Sequence, residues 1–428
     1  MAKLDYLEAL GINAIELMPI NEFDQNDSWG YNPCFYFAAD KAYGTEEAYK
    51  RFIDECHKRG IAVILDIVIN HATGLFPYAK MWWDSSSNCT TDANPFFNRV
   101  ARHPYNVYHD FNHEYTETRN YFKRMLKFWL EEYKVDGFRF DLSKGLTQKN
   151  SGTSESNAGA WSAYDSSRIA IIKDYADAIR SISDDAYIIL EHFADPWEEN
   201  ELAAYRDIML WNNQCEPYYQ TTMGYNSNSN FAGDIASGRV SYFESHDEER
   251  AAYKAVTYGQ SWLKSDWTRL TKQLQGAYCL HFLAPYPKMM WQFGELGYDY
   301  SIEYNGRTGK KPVKWDYINN TNRKALYDAI SKAISWRTYH EAMYSHEGVS
   351  YTYYVGDGDF GGKHLIYNTA EGGVIVVCNF SNSSVSFDIS IPVPGTWTNL
   401  MTGADVTLGS TYNVSLSGGD YIVLVREQ

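Results

Sequence analysis

Apolar runs of strand length alternate with segments of helical periodicity from residue 3 to about residue 340. The clearest run is IAVILDIVI at 61–69, which is rich in β-branched residues, as a parallel strand covered on both faces should be. Thr45 can cap the helix before this run, and Gly60 can end that helix. The other predicted strands lie at 12–20, 135–141, 186–193, 207–211, 239–247 and 287–295, and the other predicted helices at 3–11, 116–133, 165–183 and 321–339. Repeated strand–helix units over this length predict an α/β fold, the (β/α)8 TIM barrel.

The same pattern predicts the domain organisation. About seven strands can be counted, whereas a closed barrel of this type needs eight, and the chain opens in what looks like the first helix. The first strand is therefore expected to be missing from this sequence. Residues 1–344 are predicted to form the barrel domain, with 72–114 as an insertion, because that segment is too long and too polar for a βα connection. Alternating runs separated by Gly, Asn and Ser turns predict a C-terminal all-β sandwich domain over 345–428.

Composition and charge limit the possible partners. The 428 residues carry a net charge of -16 without a Lys/Arg-rich stretch, so a polyanion would be repelled and nucleic acid is not an expected partner. Aromatic residues reach 16%, which fits either well-filled cores or rings exposed for stacking on sugars. The six cysteines have no metal-ligand spacing and are predicted to be buried thiols. No apolar run is long enough to span a bilayer.

The start of the sequence carries no signal-peptide pattern. Met1 leads directly into KLDYLEALG, which has helical periodicity and lacks an apolar stretch. The chain is therefore expected to be cytoplasmic if it truly starts at Met1. It is expected to be extracellular or periplasmic if a signal peptide lies upstream.

Four of the apolar runs end in ionisable residues. These residues are Asp66 with His71, Arg139 with Asp141, Glu191, and His246 with Asp247. In a (β/α) barrel the carboxyl ends of the strands meet in one small volume. A single acid after a strand more often caps the next helix, but packing several carboxylates together is costly. Four such endings therefore indicate a catalytic site.

Two of these acids suit the pair of roles used in glycoside hydrolysis. Arg139 and Asp141 are two residues apart on one strand, so both side chains face the same way. The cation is expected to keep Asp141 ionised, as a nucleophile requires. Glu191 follows the apolar run AYIIL and is expected to lie in a drier environment among like charges, which suits a general acid.

Six ordered segments resemble the signature segments of the α-amylase family, glycoside hydrolase family 13. Four of them are DIVINH at 66–71, GFRFDLSKG at 137–145, ILEHF at 189–193 and FESHD at 243–247. DFNHE at 110–114 is similar to the family's segment near the end of its inserted domain B. WGYNPCFYFAADKAYGT at 29–45 is similar to the family's segment after the second strand. Any one motif is weak, but the ordered set covers nearly the whole chain and is specific.

The resemblance implies roles for the matched residues. Asp141 would be the nucleophile, Glu191 the general acid/base, and Asp247 the third acid, which holds the sugar ring in the transition state. The implied substrate-binding residues are Tyr31, Asp66, His71, Arg139, Lys144 and His246. Arg139 would orient the nucleophile, the two histidines would bond sugar hydroxyl groups, Tyr31 would stack beneath the ring, and Lys144 would reach the leaving side. Without the motifs, the histidines and the tyrosine would be interpreted as structural side chains.

The resemblance leaves a calcium ion open. Asn70 and Asp110 match positions that ligate calcium in many family members, and both offer the oxygen atoms that Ca²⁺ prefers. Gly145 stands where many calcium-dependent members have a histidine, although a backbone carbonyl group could still serve there. No organic cofactor is expected.

The predicted function is retaining hydrolysis of α-1,4-glucosidic bonds in starch-like glucans or maltodextrins, through a covalent glucosyl–Asp141 intermediate. One alternative is another specificity of the family, namely α-1,6 cleavage, cyclodextrin hydrolysis or transglycosylation. The other is a non-catalytic glucan-binding protein, against which the complete set of three acids argues. The loops that decide between specificities, such as 147–164, cannot be interpreted for shape from the sequence.

Overall fold

The computed structural model describes residues 1–25, 28–344 and 350–427, and the chain separates into two compact units. The first unit consists of residues 1–4 and 13–211, and the second of residues 5–12 and 212–428. The predicted domain boundaries follow the sequence pattern rather than this division, and they stay predictions. The first five residues of the predicted C-terminal domain, 345–349, lie outside the described residues.

Parallel strands form the centre of the first unit. They lie side by side in chain order and are Ala14–Leu17, Ala62–Ile67, Gly137–Phe140, Tyr187–Leu190 and Met209–Asn213, the last of which continues into the second unit after Trp211. Five consecutive residues of Ala62–Ile67 are buried. Because successive side chains of a strand point to opposite faces, both faces of this strand are covered. The prediction of a parallel α/β sheet is confirmed.

Helices connect these strands, and three of them, Glu46–His57, Thr116–Phe128 and Ser166–Arg180, lie where the periodicity predicts them. The helices of the first unit are Glu46–His57, Pro77–Lys80, Thr116–Phe128, Ala158–Ser162, Ser166–Arg180 and Pro196–Ala203, with 3-10 turns at Ser143–Leu146 and Glu155–Asn157 and a π-helical turn at Trp129–Tyr133. The predicted cap of the first helix is confirmed, since Thr45 Oγ1 accepts a hydrogen bond from the amide of Ala48 at 3.2 Å. Gly60 follows the helix with a φ of +68°, a conformation that favours glycine.

The segment predicted as an insertion, 72–114, has little regular structure and an aromatic core. Two short strand pairs occur in it, His71–Ala72 with His109–Asp110 and Trp83–Asp84 with Cys89–Thr90. The rings of Phe97 and Phe111 stack with their centroids 4.2 Å apart, and both side chains are buried. Part of the high aromatic content therefore fills cores. A further hairpin of the first unit pairs Asn21–Phe23 with Pro33–Ala39.

Helices dominate the first part of the second unit. They are Cys215–Met223, Ala251–Tyr258, Ser261–Lys264, Trp267–Leu283 and Thr321–Tyr339, with 3-10 turns at Ala232–Ile235, Gly294–Leu296, Trp315–Asn319 and Glu341–Tyr344. The strand Arg239–Tyr242 lies beside the end of Met209–Asn213, where Asn212 Nδ2 donates to Ser241 Oγ at 2.7 Å. Most of the first helix, Leu4–Leu10, also belongs to this unit.

The prediction of a strand at 287–295 is wrong. Only Lys288 pairs in parallel with Ser241, as an isolated bridge, and the chain then enters the turn Gly294–Leu296. Phe293 has a φ of +69°, in the left-handed region that a strand does not contain. An apolar run alone does not distinguish a buried turn from a buried strand.

The C-terminal part of the second unit is all β, as predicted. Its larger antiparallel sheet contains, in order across the sheet, Ser350–Tyr354, Lys363–Thr369, Gly372–Cys378, Tyr421–Glu427, Gly395–Asn399 and Asp405–Leu408. A second, two-stranded sheet pairs Val385–Ser390 with Thr411–Leu416. Trp397 is fully buried in the core between residues of both sheets, including Ile375 and Val414.

Two further expectations can be compared with the structure. All six cysteines are free thiols, and five of them are buried, whereas Cys89 is partly exposed. Among the described residues, no helix combines the length and the apolar character needed to cross a bilayer.

Candidate active site

The guanidinium group of Arg139 is the centre of a polar cluster at the ends of the parallel strands. Strand register places Arg139 beside Asp66, and Arg139 Nη1 lies 2.9 and 2.8 Å from the two carboxyl oxygens of Asp66. The same nitrogen lies 3.1 Å from Oδ1 of Asp141, and Nη2 lies 3.0 Å from Oε2 of Glu191. The group also lies 4.0 Å from the ring centroid of Trp211. One fully buried cation therefore contacts three carboxyl groups.

A fourth carboxyl group, that of Glu16, belongs to the same electrostatic cluster. Burial raises the pKa of Glu16 to about 7, with Arg139 opposing this rise and Glu191 adding to it. Burial also raises the pKa of Asp66 to about 7, with Arg139 opposing and Glu16 adding. Sequence reasoning missed Glu16, although a lone acid inside the apolar run INAIELMPI is a visible signal. Because four carboxyl groups share one cation, the cluster retains protons near neutral pH.

Asp141 lies between Arg139 and the side chain of Asn70. Asn70 Nδ2 donates to Asp141 Oδ2 at 3.0 Å and to the Asp141 backbone oxygen at 2.9 Å. Burial, followed by the neighbouring Glu191, raises the pKa of Asp141 well above its ordinary value, while Arg139 opposes the rise. Burial and a like charge therefore oppose the effect of Arg139, which was expected to keep this carboxyl group ionised.

Glu191 is oriented by the backbone that follows the neighbouring strand. Its Oε2 accepts a hydrogen bond from the amide of Leu142 at 2.9 Å, and its backbone oxygen accepts one from the amide of Ser143 at 2.8 Å. Leu142 has a φ of +41°, a left-handed conformation that costs about 1–3 kcal/mol in a residue with a side chain. The side chains of Asp141 and Glu191 are each 15% exposed, so both acids reach the surface of the first unit.

Tyr31 is held beside Asp66 by its hydroxyl group. Tyr31 Oη donates to Asp66 Oδ2 at 2.6 Å. The backbone oxygen of Tyr31 lies 2.8 Å from His71 Nε2, which donates the hydrogen because a carbonyl oxygen only accepts. Burial lowers the pKa of His71 to about 4, so the ring is neutral. Gly30 has a φ of +90°, and a Cβ there would lie 2.3 Å from the backbone oxygen of Pro19, so the turn before Tyr31 requires glycine.

Lys144 lies on the turn after the strand of Asp141 and reaches the segment after Glu191. Its Nζ donates to the Phe193 backbone oxygen at 2.9 Å and to Ser162 Oγ at 3.1 Å. The same nitrogen lies 4.4 Å from the ring centroid of Trp161. Burial lowers the pKa of Lys144. The structure thus brings together Tyr31, Asp66, Asn70, His71, Arg139, Asp141, Lys144 and Glu191 in the first unit.

His246 and Asp247 lie in the second unit, after the strand Arg239–Tyr242. His246 Nε2 lies 3.4 Å from Asp247 Oδ2, and the Asp247 side chain is 46% exposed. Arg307 Nη2 lies 3.3 Å from Asp247 Oδ1 and donates to the Asp247 backbone oxygen at 2.8 Å. The ring centroid of His246 lies 6.0 Å from that of Trp291. An exposed carboxylate beside a histidine and an aromatic ring is an arrangement that suits sugar hydroxyl groups.

The two residues expected to bind calcium, Asn70 and Asp110, differ in how their side-chain oxygens are paired. Asn70 Oδ1 contacts the His71 ring, while the amide nitrogen of Asn70 donates to Asp141. Asp110 Oδ2 accepts a hydrogen bond from Asn98 Nδ2 at 2.8 Å.

The remaining carboxyl oxygen of Asp110 faces a histidine ring. His103 Nε2 lies 3.5 Å from Asp110 Oδ1, and the His103 ring stacks on Trp161 with centroids 4.8 Å apart. A Cβ at Gly145 would lie 3.4 Å from the same ring. Within 1–25, 28–344 and 350–427, no group of three or more His, Cys, Asp or Glu side chains could hold a metal ion. Ca²⁺ takes 6–8 oxygen ligands, including amide and carbonyl oxygens, and the buried Asp110 Oδ1 accepts no hydrogen bond from the described residues. Calcium binding by Asn70 and Asp110 therefore stays a prediction.

Two family models match the chain. The alpha amylase catalytic domain matches residues 1–111 and 100–252, and the alpha amylase C-terminal all-beta domain matches residues 361–425. The chain belongs to the alpha-amylase family. The four signature segments quoted above lie within the catalytic-domain match, so the resemblance seen in the sequence is confirmed.

Curated relatives in the alpha-amylase family include enzymes with different names. The malto-oligosyltrehalose trehalohydrolase of Saccharolobus solfataricus is 27% identical over 60% of this chain and 42% of its own length. The 1,4-alpha-glucan branching enzyme of Rhodospirillum rubrum is 34% identical over 32% of this chain and 18% of its own length. The chain thus spans less than half the length of these relatives.

Solved structures of other proteins share the fold of this chain. The alpha-amylase of Geobacillus thermoleovorans, complexed with acarbose, has a TM-score of 0.73 and 18% identity, covering 100% of this chain and 91% of that one. The trehalose-6-phosphate hydrolase of Bacillus licheniformis has a TM-score of 0.74 and 16% identity, covering 100% of this chain and 94% of that one. These similarities show the fold and confirm the predicted fold class.

Proposed function

We propose that this chain is a retaining glycoside hydrolase that cleaves α-1,4-glucosidic bonds in starch-like glucans or maltodextrins. The observation that carries the proposal is the contact of one buried guanidinium group, that of Arg139, with both Asp141 and Glu191. Such a cation fixes the relative position of two carboxyl groups whose side chains still reach the surface. Glycoside hydrolysis uses two carboxyl groups that flank the glycosidic bond to be cleaved.

The reaction proceeds in two steps. In the first, the Asp141 carboxylate attacks C1 of the glucose unit, the C1–O bond to the leaving sugar breaks, and Glu191 gives its proton to the leaving oxygen. In the second, Glu191 takes a proton from water, the water oxygen bonds to C1, and the bond between C1 and Asp141 breaks. Two inversions at C1 retain the α configuration. Asp247 holds sugar hydroxyl groups as charge develops on the ring.

The other site residues bind the substrate. Tyr31 stacks beneath the glucose ring at the cleavage point, where its hydroxyl group is fixed by Asp66. The family resemblance assigns the binding of sugar hydroxyl groups to His71 and also to His246. Lys144, which already donates to the backbone of the segment after Glu191, reaches the sugar on the leaving side.

The names of the curated relatives favour a second candidate within the same reaction class. A trehalohydrolase and a branching enzyme are among them, so the chain would cleave another α-glucosidic linkage or transfer the glucosyl unit to a sugar acceptor. Product analysis on amylose, pullulan, maltoheptaose and a malto-oligosyltrehalose separates these outcomes. Rapid formation of short maltodextrins from amylose supports α-1,4 hydrolysis. Trehalose release or new α-1,6 branches would instead support the second candidate.

A pair of substitutions tests the mechanism. Glu191→Gln keeps the size of the side chain but removes the transferable proton, so starch hydrolysis should fall by about 10²–10⁴-fold. Asp141→Asn should be as severe, because the covalent route disappears with the nucleophile. An activated α-glucosyl fluoride needs little protonation to depart, so Glu191→Gln should still accumulate a covalent glucosyl adduct on Asp141. Asp141→Asn should form none.

Intact-protein mass spectrometry and the anomeric configuration of the first product distinguish the outcomes. An adduct of one glucosyl unit and an initial α product support the proposal. An adduct located on Glu191, or an initial β product, would show that the roles or the mechanism are assigned wrongly. A chain that binds maltodextrins but turns over neither substrate would be the non-catalytic glucan-binding protein.

A further inference from the structure

We propose that a buried chain of hydrogen bonds through Arg168, Glu198, His192 and Ser143 is a positioning device for the acid/base Glu191. We call these four residues the relay. The inference rests on the proposed function, since it assigns a purpose to residues around the proposed acid/base. All four side chains are buried, and none of them is exposed enough to contact substrate.

Glu198 is the charged centre of the relay. Arg168 binds it in two places, with Nε 2.6 Å from Oε1 and Nη2 2.7 Å from Oε2. His192 Nε2 lies 2.8 Å from Oε1, and the amide of Asp165 donates to Oε2 at 2.9 Å. Burial alone would raise the pKa of Glu198, but the hydrogen bonds from His192 and Arg168 outweigh it and hold the pKa below the ordinary value. The carboxylate is therefore ionised and both of its oxygens are fully engaged.

His192 carries this fixed position to Glu191. Burial lowers the pKa of His192, although Glu198 opposes this, so the neutral ring donates from Nε2 to Glu198 and accepts at Nδ1. Ser143 Oγ lies 2.8 Å from His192 Nδ1 and 2.9 Å from the Glu191 backbone oxygen. The same backbone oxygen receives the amide of Ser143 at 2.8 Å. His192 Nδ1 and the Glu191 backbone oxygen both accept hydrogen bonds, so the single hydroxyl hydrogen of Ser143 is shared between the His192 ring and the backbone of the residue that carries the acid/base carboxyl group.

The other end of the relay holds the turn of Lys144. Arg168 Nη1 lies 3.0 Å from the Trp161 backbone oxygen and 3.5 Å from the Lys144 backbone oxygen. Trp161 Nε1 donates to the same oxygen of Lys144 at 3.0 Å. One buried guanidinium group thus fixes the turn after the strand of Asp141, while its partner Glu198 fixes the segment after Glu191.

Two backbone conformations show why this link is needed. Leu142 and Phe193 have φ values of +41° and +49°, in the left-handed region that side chains disfavour. Leu142 donates its amide to Glu191 Oε2, and Phe193 accepts at its backbone oxygen from Lys144. Each disfavoured residue sits beside a relay residue in the sequence, Ser143 and His192. The relay therefore maintains two conformations that aim one amide and one ammonium group at the site.

A role in stability alone explains these contacts less well. A buried Arg–Glu pair is poor evidence for stability, because removing two charges from water offsets most of their attraction. The relay instead ends on the backbone of Glu191 and of Lys144, at both sides of the proposed site. Removing one link should therefore shift the carboxyl group of Glu191 more than it weakens the fold.

Ser143→Ala is the test, with Thr147→Val as its matched control. Each removes one buried hydroxyl group from the same turn, and Thr147 Oγ1 donates to Asp165 Oδ2 at 2.7 Å without contacting His192. With maltoheptaose, Ser143→Ala should lower kcat by about 10- to 100-fold and leave KM unchanged, because the acid is misplaced relative to the leaving oxygen. With α-glucosyl fluoride, which needs little acid assistance, formation of the covalent adduct should keep its rate. Thr147→Val should keep both rates.

A second variant separates positioning from damage to the fold. The Nε2 of glutamine in His192→Gln can still donate to Glu198, but the contact with Ser143 is lost, so the selective loss of kcat should recur. Combined with Ser143→Ala it should cause no further loss, since both changes break one contact. Equal losses on both substrates, or losses that multiply in the double variant, would overturn the inference. An unaltered chain that turns over neither substrate would instead overturn the proposed function, and the role of the relay with it.

Discussion

Glu295 provides a test of how burial controls charge in the second unit. Its carboxyl group is 3% exposed and accepts a hydrogen bond from Tyr6 Oη at 2.8 Å. Glu244 is a second buried acid of this unit, bound by Tyr278 Oη at 2.8 Å. Burial raises the pKa of Glu295 to about 7, the hydrogen bond from Tyr6 opposes the rise, and Glu244 adds to it. Among the residues that the structure describes, no cation is a cause of this shift in pKa, in contrast to the cluster around Arg139.

The magnitude follows from the two protonation equilibria of Glu295. Its ordinary pKa is 4.5 and its pKa in the folded protein is about 7, a difference of about 2.5 pH units. At 1.36 kcal/mol per unit, the folded state favours the protonated acid by about 3 kcal/mol. This contribution is fully present below pH 4.5 and is lost as the pH rises through about 7. Glu295→Gln imitates the protonated acid at every pH, so its stabilising effect should be absent at about pH 4 and approach 3 kcal/mol at about pH 8.

Urea or thermal unfolding of the wild type and of Glu295→Gln, measured between pH 4 and pH 8, checks this prediction. Comparing the two proteins at each pH cancels the titration of all other groups. Glu303→Gln is the matched control, because it removes one negative charge from a side chain that is 64% exposed. A glutamine variant that is less stable than the wild type at pH 8, or an effect that does not change with pH, would refute the reasoning.

Three further predictions address the site and the C-terminal sheet. The kcat/KM for α-glucosyl fluoride should fall as the pH falls through the raised pKa of Asp141, because a protonated carboxyl group is not a nucleophile; a rate that does not fall at low pH would contradict this role of Asp141. Scanning calorimetry tests the predicted calcium site: if Asp110 Oδ1, which accepts no hydrogen bond from the described residues, ligates the ion, added calcium should raise the thermal unfolding midpoint and EDTA should lower it. A midpoint that neither reagent changes would contradict a calcium site at Asn70 and Asp110. Trp397→Ala should lower the unfolding free energy by about 3–5 kcal/mol in urea titrations, because Trp397 is fully buried in the C-terminal core; a loss below 1 kcal/mol would mean that the core collapses around the gap.

The polar cluster could be predicted from the sequence because its geometry follows from strand periodicity. Arg139 and Asp141 are two residues apart, and the structure confirms that they contact each other. The register of two parallel strands pairs Asp66 with Arg139. The sequence already suggested that these strand ends meet, because each of the two apolar runs ends in an acid. A short apolar run followed by a charged residue therefore helps to locate a site where several strands end at one edge of a sheet.

The remaining features depend on partners that are distant in the sequence. Glu198 and Arg168 are 30 residues apart, and Tyr6 and Glu295 are 289 apart, so no local pattern links them. The ionisation of Asp141 was predicted from its neighbour Arg139 alone, whereas burial and Glu191 both raise its pKa against that cation. The strand predicted at 287–295 failed for a related reason, since a buried turn and a buried strand have the same hydrophobicity.

The distribution of charge in the first unit supports a catalytic role for the cluster around Arg139. Arg139 could be satisfied by Asp66 alone, which binds it through both carboxyl oxygens. Asp141, Glu191 and Glu16 place further like charges around the cation. Burial raises the pKa of Asp66 and of Glu16 to about 7, with Glu16 adding to the rise at Asp66 and Glu191 adding to the rise at Glu16. A fold selected only for stability would exchange such acids for apolar side chains, because an unpaired buried carboxylate is costly. Glu198, also buried but saturated by four donors, shows that this chain can pair an acid completely where only position is required. Around Arg139, the incompletely paired acids are therefore the ones that the proposed reaction uses for proton transfer, nucleophilic attack and substrate binding. Glu16, which lies beside them, is incompletely paired as well.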